Sequence, residues 1–153
     1  MTSEILAAED ARLVLPQFDE TTALALGMIL VDLAQAERLP VVINIRTADR
    51  TLFHVALPGS APLNDAWARR KSNVALMFQK SSLLVGTQMR EKGSSLANDG
   101  LSALDYADHG GAVPIRVHGV GMVAVATVSG LPQRDDHALV VRGLAAVLHR
   151  LAP

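Results

Sequence analysis

The run Met122–Val128, MVAVATV, constrains this chain more than any other stretch. Seven consecutive residues without a charge, rich in Val and Ala, sit between Gly121 and a Ser-Gly-Leu-Pro corner at 129–132. That is the pattern of a strand buried on both faces, which needs neighbours on each side and a layer above and below. Just upstream, Val113, Ile115 and Val117 alternate with Pro114, Arg116 and His118, the two-residue period of a half-buried strand. Gly119 and Gly121 flank the reversal, so the two strands read as a hairpin.

A second hairpin lies earlier in the chain. Val41, Ile43 and Ile45 share one face, a polar turn follows at 47–50, and Phe53, Val55 and Leu57 share a face of the return strand. His54 points the other way. Helical periodicity fills the intervals. A short helix is expected over 3–12 with Ser3 as N-cap, followed by an edge strand at 13–15 that Pro16 stops. Asp19 is placed to cap a helix over 20–38, where Leu26, Ile29, Leu30 and Leu33 form one apolar face around Gly27. A helix in the middle of which glycine costs about 1 kcal/mol against alanine implies close packing at that point. Further helices are expected over 63–79 and 81–92, with the last starting at Pro132 and burying Val140, Leu144, Val147, Leu148 and Leu151. The span 93–111 is irregular, with a short helix expected at 101–107, and irregular spans of this length often line sites. The order predicts one α+β domain over 1–153: a mostly antiparallel five-stranded sheet with helices packed on its faces.

Composition narrows the function classes. The chain has 153 residues, 14 basic against 15 acidic, so no net field favours nucleic acid or an anionic membrane. It has no cysteine, which removes disulfides, thiolate metal sites and a cysteine nucleophile. The acidic N-terminus MTSEILAAED does not read as a signal peptide, and no apolar run is long enough for a membrane span. A cytoplasmic protein is expected. Only 3% of residues are aromatic, so the core must be built from aliphatic side chains. A mean hydropathy of +0.27 suggests that a second subunit covers some apolar surface.

The basic run Arg69-Arg70-Lys71 lies on the 63–79 helix. Lys71 falls between Trp67 and Val74 on the stripe of Leu63 and Phe78, while Arg69 and Arg70 turn away toward water. Two readings of Lys71 stand: a lysine that snorkels to the edge, or a cation held at a pocket mouth or subunit interface facing a carboxylate. Without interleaved aromatics the run fits anionic carboxylates or acidic partner residues better than nucleic acid. Among five histidines, His109 in its Gly-flanked loop is best placed to reach a ligand, and His118 sits at a hairpin end. Asp135, Asp136 and His137 diverge by about 100° each on a helix, which suits charges at its positive N-terminus and not a metal site. No phosphate loop, nucleophile elbow or zinc motif occurs.

Three segments together carry a family resemblance. They are Asn64-Asp65-Ala66-Trp67-Ala68-Arg69-Arg70-Lys71 with Phe78 and Ser81-Ser82, then Gly110-Gly111-Ala112-Val113-Pro114-Ile115, then Val128-Ser129-Gly130-Leu131-Pro132 with Asp136-His137. Over residues 5–151 the chain resembles the haem-degrading-domain family, the group around haem-binding protein S and the glycolate-operon protein G, and within it the UPF0303 branch. The resemblance implies a profilin-like layered sandwich, a homo-oligomer, and a haem or tetrapyrrole site near the basic helix and the Gly-Gly loop. Lys71 and Arg70 would then meet propionates, His109 or His54 would be the candidate iron ligand, and Gly110 and Gly111 would border the ligand. The alternative is a non-catalytic oligomeric scaffold with Trp67 at an interface. An enzyme ranks last, because no nucleophile and base pair is identifiable.

Overall fold

The computed structural model describes residues 2–152. Five strands form one sheet in the order β1-β4-β5-β2-β3, with β1 at Val14–Leu15, β2 at Val42–Arg46, β3 at Thr51–Ala56, β4 at Ala112–Val117 and β5 at Gly121–Ser129. The uncharged run occupies the middle: β5 pairs antiparallel with β4 on one side and β2 on the other. Both expected hairpins form, and among the described residues the one parallel pair is β1 with β4. Gly119 and Gly121 take φ of 76° and 107°, as the tight reversal requires.

Strand alternation divides the sheet into two unlike faces. Ile43, Ile45, Val113, Ile115, Ala124, Ala126 and Val128 enter the large core beneath α2 (Glu20–Ala36) and α5 (Gln133–Leu151). Leu26 and Leu30 of α2 and Leu144 of α5 are fully or almost fully buried there, each contributing about 1.5–3 kcal/mol of transfer free energy. Gly27 lies directly under the Phe53 ring, where a Cβ would sit 2.5 Å from ring carbons, so the close packing expected at this glycine is present. The opposite face carries α3 (Pro62–Phe78) and α4 (Ser82–Glu91) and is smaller and more polar. Ala75, Ala112 and Val125 pack there, and Ser72 Oγ lies 2.7 Å from Thr127 Oγ1 with both residues fully buried. α1 (Ser3–Arg12) docks outside α4 through Leu6, Leu83 and Leu84.

Four local expectations differ from the structure. The cap of α1 is Thr2, whose hydroxyl accepts from Ile5 N, and not Ser3. No helix forms at 101–107; a single 3₁₀ turn at Leu96–Asp99 is followed by turns. Leu63 is 65% exposed, so the buried face of α3 is rotated toward Ala68, Lys71, Ser72, Val74 and Ala75. Small residues let this helix lie close on β5, and a stripe drawn through the large apolar residues misses that face. Lys71 does not snorkel: it is 3% exposed.

Candidate functional site

The first turn of α3 opens with Pro62, pre-set for helix, and Asn64 Oδ1 accepts the Ala61 N–H at 2.9 Å. Two turns later Lys71 enters the sheet side. Its ammonium donates to Gly110 O at 3.0 Å, Val128 O at 2.8 Å and Asp136 Oδ2 at 3.1 Å. Asp136, near the start of α5, also accepts from Gly130 N at 3.3 Å and Leu131 N at 3.0 Å. Burial pulls the Lys71 pKa down and pushes that of Asp136 up, and the attraction between them opposes both shifts. The hydrogen bonds fit the charged forms: three acceptors face three ammonium protons, and three donors face one carboxylate. This pair ties α3, the loop before β4, the end of β5 and α5 to one another. The carboxylate expected opposite Lys71 is therefore the chain's own, and the ammonium has no donor left over.

The Gly-Gly loop is shaped by the same pair. Gly111 has φ of 138°, and a Cβ there would sit 2.5 Å from Lys71 Nζ and also strike Val128 O. Gly110 is equally confined, since a Cβ would lie 2.5 Å from Gln133 O. Its N–H donates to Gln133 Oε1 at 2.9 Å. The backbone beneath His109 is thus fixed while the imidazole is exposed. That ring stands edge-on to Trp67, centroids 4.9 Å apart at 72°. The Arg70 guanidinium lies 4.2 Å from the Trp67 ring centroid, a stacked cation–π contact. Arg70 is half-buried by this contact instead of turning into water, whereas Arg69 is exposed and pairs with Asp105.

Trp67 and His109 border two clefts. The larger, about 400 Å³, is walled by Arg70 of α3 and by Leu96, Leu101, Tyr106 and Ala107 of the irregular 93–109 span. The smaller, about 240 Å³, is lined by Asn64, Lys71, Ser129, Leu131, Gln133 and Asp136. His54 is apart from both: its Nδ1 meets Asn44 Nδ2 at 3.0 Å and its Nε2 meets Asp65 Oδ1 at 2.8 Å, so neither ring nitrogen is spare. Asp135, Asp136 and His137 diverge as expected, with Asp136 on Lys71 and the buried His137 on Glu9. Among the described residues no three His, Asp or Glu side chains converge to hold a metal ion, and no helix is long and apolar enough to cross a membrane.

Residues 18–145 match the model of the haem degrading protein HbpS-like family. The chain belongs to that HbpS-like family. It is 48% identical over 148 residues to the UPF0303 protein of Streptomyces avermitilis, spanning 95% of this chain and 90% of the relative. Among solved structures, that of the Ybr137w protein superposes with a TM-score of 0.89 at 30% identity, over 98% of this chain and 90% of that one. The crystal structure of the PduOC:heme complex superposes at 0.73 with 18% identity, over 84% and 94%.

The three segments that carried the resemblance to the HbpS-like family converge in space. Asn64–Lys71, the Gly110-Gly111 loop and the 129–136 corner are the walls of the smaller cleft, joined beneath it by the Lys71–Asp136 pair. Of the residues singled out in the sequence, Lys71, His109 and Gly110 meet at this cleft, with Gly111 packed on Lys71 behind it, while Arg70 faces the larger one. Asn64, Ser129 and Gln133 were not singled out, although the first two lie inside the resembling segments. Their one further signal is that polar residues recur at the first turns of two helices and at the end of the central strand.

Proposed function

We propose that this HbpS-like protein binds haem, or a related planar anionic small molecule, in the larger cleft between α3 and the 93–109 span. The observation that carries the reading is the exposed His109 imidazole on its fixed Gly-Gly backbone, beside the Trp67–Arg70 stack. The residues present suit such a group. An imidazole without a protein partner among the described residues can offer a ring nitrogen to iron. A guanidinium can meet a propionate, and Leu96, Leu101 and Tyr106 supply the apolar wall that a macrocycle needs. When bound, haem would supply iron chemistry; His109 would hold it, Arg70 would pair with a propionate, and Trp67 would orient the edge.

The other residues expected at the ligand take positioning roles in this reading. Lys71 cannot serve a propionate without leaving three internal acceptors, so with Gly110 and Gly111 it fixes the loop that presents His109. His54 is held by Asn44 and Asp65 and is not the iron ligand. The protein acts in this reading as a homo-oligomer in the cytoplasm; the open outer edge of β3 and the exposed side chains of Leu24, Met28, Leu63 and Met77 support the self-association. Titration with haemin tests the reading. A saturable Soret shift at one haemin per chain is expected, and its absence refutes haem binding.

A further inference from the structure

We infer that the smaller cleft, on the other side of Trp67 and His109 from the proposed haem cleft, is a separate binding site for a small carboxylate. The inference does not depend on haem occupying its neighbour.

Two side-chain amides at this cleft are held in a fixed orientation. Asn64 accepts the Ala61 N–H, and Gln133 accepts the Gly110 N–H, each at 2.9 Å. A backbone N–H can bond only to an acceptor, so both side-chain oxygens are assigned without ambiguity. Each amide is thereby left with its NH₂ group as the end that has no partner among the described residues, and both residues line the cleft.

A third polar group faces the same space. Thr127 points to the α3 side of the sheet, where it meets Ser72. Two residues on, Ser129 shares that side by strand alternation. Ser129 is 2% exposed, yet its hydroxyl has no protein partner among the described residues, and the residue lines the cleft. Its oxygen is not among the fully enclosed side-chain atoms that lack a partner, so it keeps access to the cleft. Here the cleft is what it can bond to.

Charge selects the ligand. The formally charged groups lining the cleft, apart from the His109 imidazole, are Lys71 and Asp136, which are bonded to each other. Asp136 has three donors on its two oxygens and so offers little to a second cation. What remains are two fixed amide donors, one hydroxyl, and the first turns of α3 and α5, where Asn64 and Gln133 sit. Both helices are long, and their N-terminal ends carry partial positive charge. A site that presents donors and helix N-termini, over a neutral floor, fits the two acceptor oxygens of a carboxylate. At about 240 Å³ the space accommodates an acid of a few carbon atoms beside the Trp67 ring. The same carboxylate chemistry could come from a propionate of a tetrapyrrole in the adjoining cleft, and the test separates the two sources.

Lactate and pyruvate serve as probes and lactamide as the uncharged control, read by isothermal calorimetry and by the fluorescence of Trp67, the one tryptophan. Saturable binding of the acids and none of the amide is expected. Gln133→Glu and Asn64→Asp each keep the oxygen that accepts the backbone N–H but turn the exposed donor into an acceptor. Each should leave the melting temperature close to wild type and weaken the acids by about tenfold or more, the worth of a hydrogen bond to a charged group. Ser129→Ala should weaken them in the same direction. Binding of the acids by haemin-saturated protein at an unchanged midpoint supports a separate site; displacement by haemin overturns it and assigns the donors to a propionate. A protein that takes no haemin but binds the acids refutes the haem reading alone. Equal binding of lactamide, no saturable response, or unchanged affinity in both acidic variants overturns the inference.

Discussion

Replacing Lys71 with methionine should be among the most damaging single changes outside the hydrophobic core. Methionine fills most of the space of the lysine stem but removes the ammonium. Gly110 O and Val128 O lose a donor, and the Asp136 carboxylate, 3% exposed, keeps only the Gly130 and Leu131 N–H groups. Leaving a buried charge without its partner costs about 3–5 kcal/mol, against about 0–1 kcal/mol for an exposed pair. For a chain of this length that corresponds to a melting temperature lower by about 6–20 °C. Urea unfolding followed by circular dichroism gives the free energy directly. The double variant Lys71→Met/Asp136→Asn removes the stranded charge while keeping an oxygen for the Leu131 N–H, and should recover about 1 kcal/mol or more of the loss. A Lys71→Met loss below about 1 kcal/mol, or a double variant no better than the single, would show that the pair behaves like a solvated one and would refute this reasoning.

Further expectations concern the loop, the α1 dock and the cation over Trp67. Gly111→Ala places a Cβ against Lys71 Nζ at a φ of 138° and should cost about 1–3 kcal/mol while weakening haemin; full stability in urea would contradict the packing described. Asp10 is buried on α1, with Oδ2 accepting from Ser81 N and with Glu9, Arg116 and His137 nearby, and burial raises its pKa above 3.8. The folded state then binds a proton that the unfolded state lacks as pH falls from the raised value toward 3.8, so wild type should gain stability relative to Asp10→Asn in that window. Urea midpoints at about pH 7 and about pH 4 check this, and a gap that moves against wild type on acidification has the wrong sign. Arg70→Ala removes the guanidinium from Trp67 and should weaken haemin with little change in the melting temperature; unchanged haemin affinity removes Arg70 from the site.

The sheet was legible because its signals are local. The uncharged run at 122–128 has the pattern of a central strand, and both hairpins follow from two-residue alternation joined by turn residues. The site was legible only in part. Lys71, His109 and the Gly-Gly pair stood out by residue type, but the partner of Lys71 is Asp136, 65 residues away on another helix. At its own position that aspartate reads as an ordinary charge in the first turn of α5. The face of α3 was misplaced for a related reason. Large apolar residues mark a buried stripe only where there is room for them, and α3 lies so close to β5 that Ala68, Ser72 and Ala75 occupy the contact. The orientations of Asn64 and Gln133 depend on backbone N–H groups that tertiary packing brings to them, so no pattern in the chain announces them.

The most direct test of the account is haemin titration of wild type beside His109→Ala, followed in the Soret region. His109 is exposed and its backbone is held by glycine contacts that the substitution leaves alone, so the variant should fold like wild type. Wild type should show a saturable Soret band at one haemin per chain, and the variant a shifted band with clearly weaker binding. Identical spectra and affinities in the two proteins would contradict haem binding through His109.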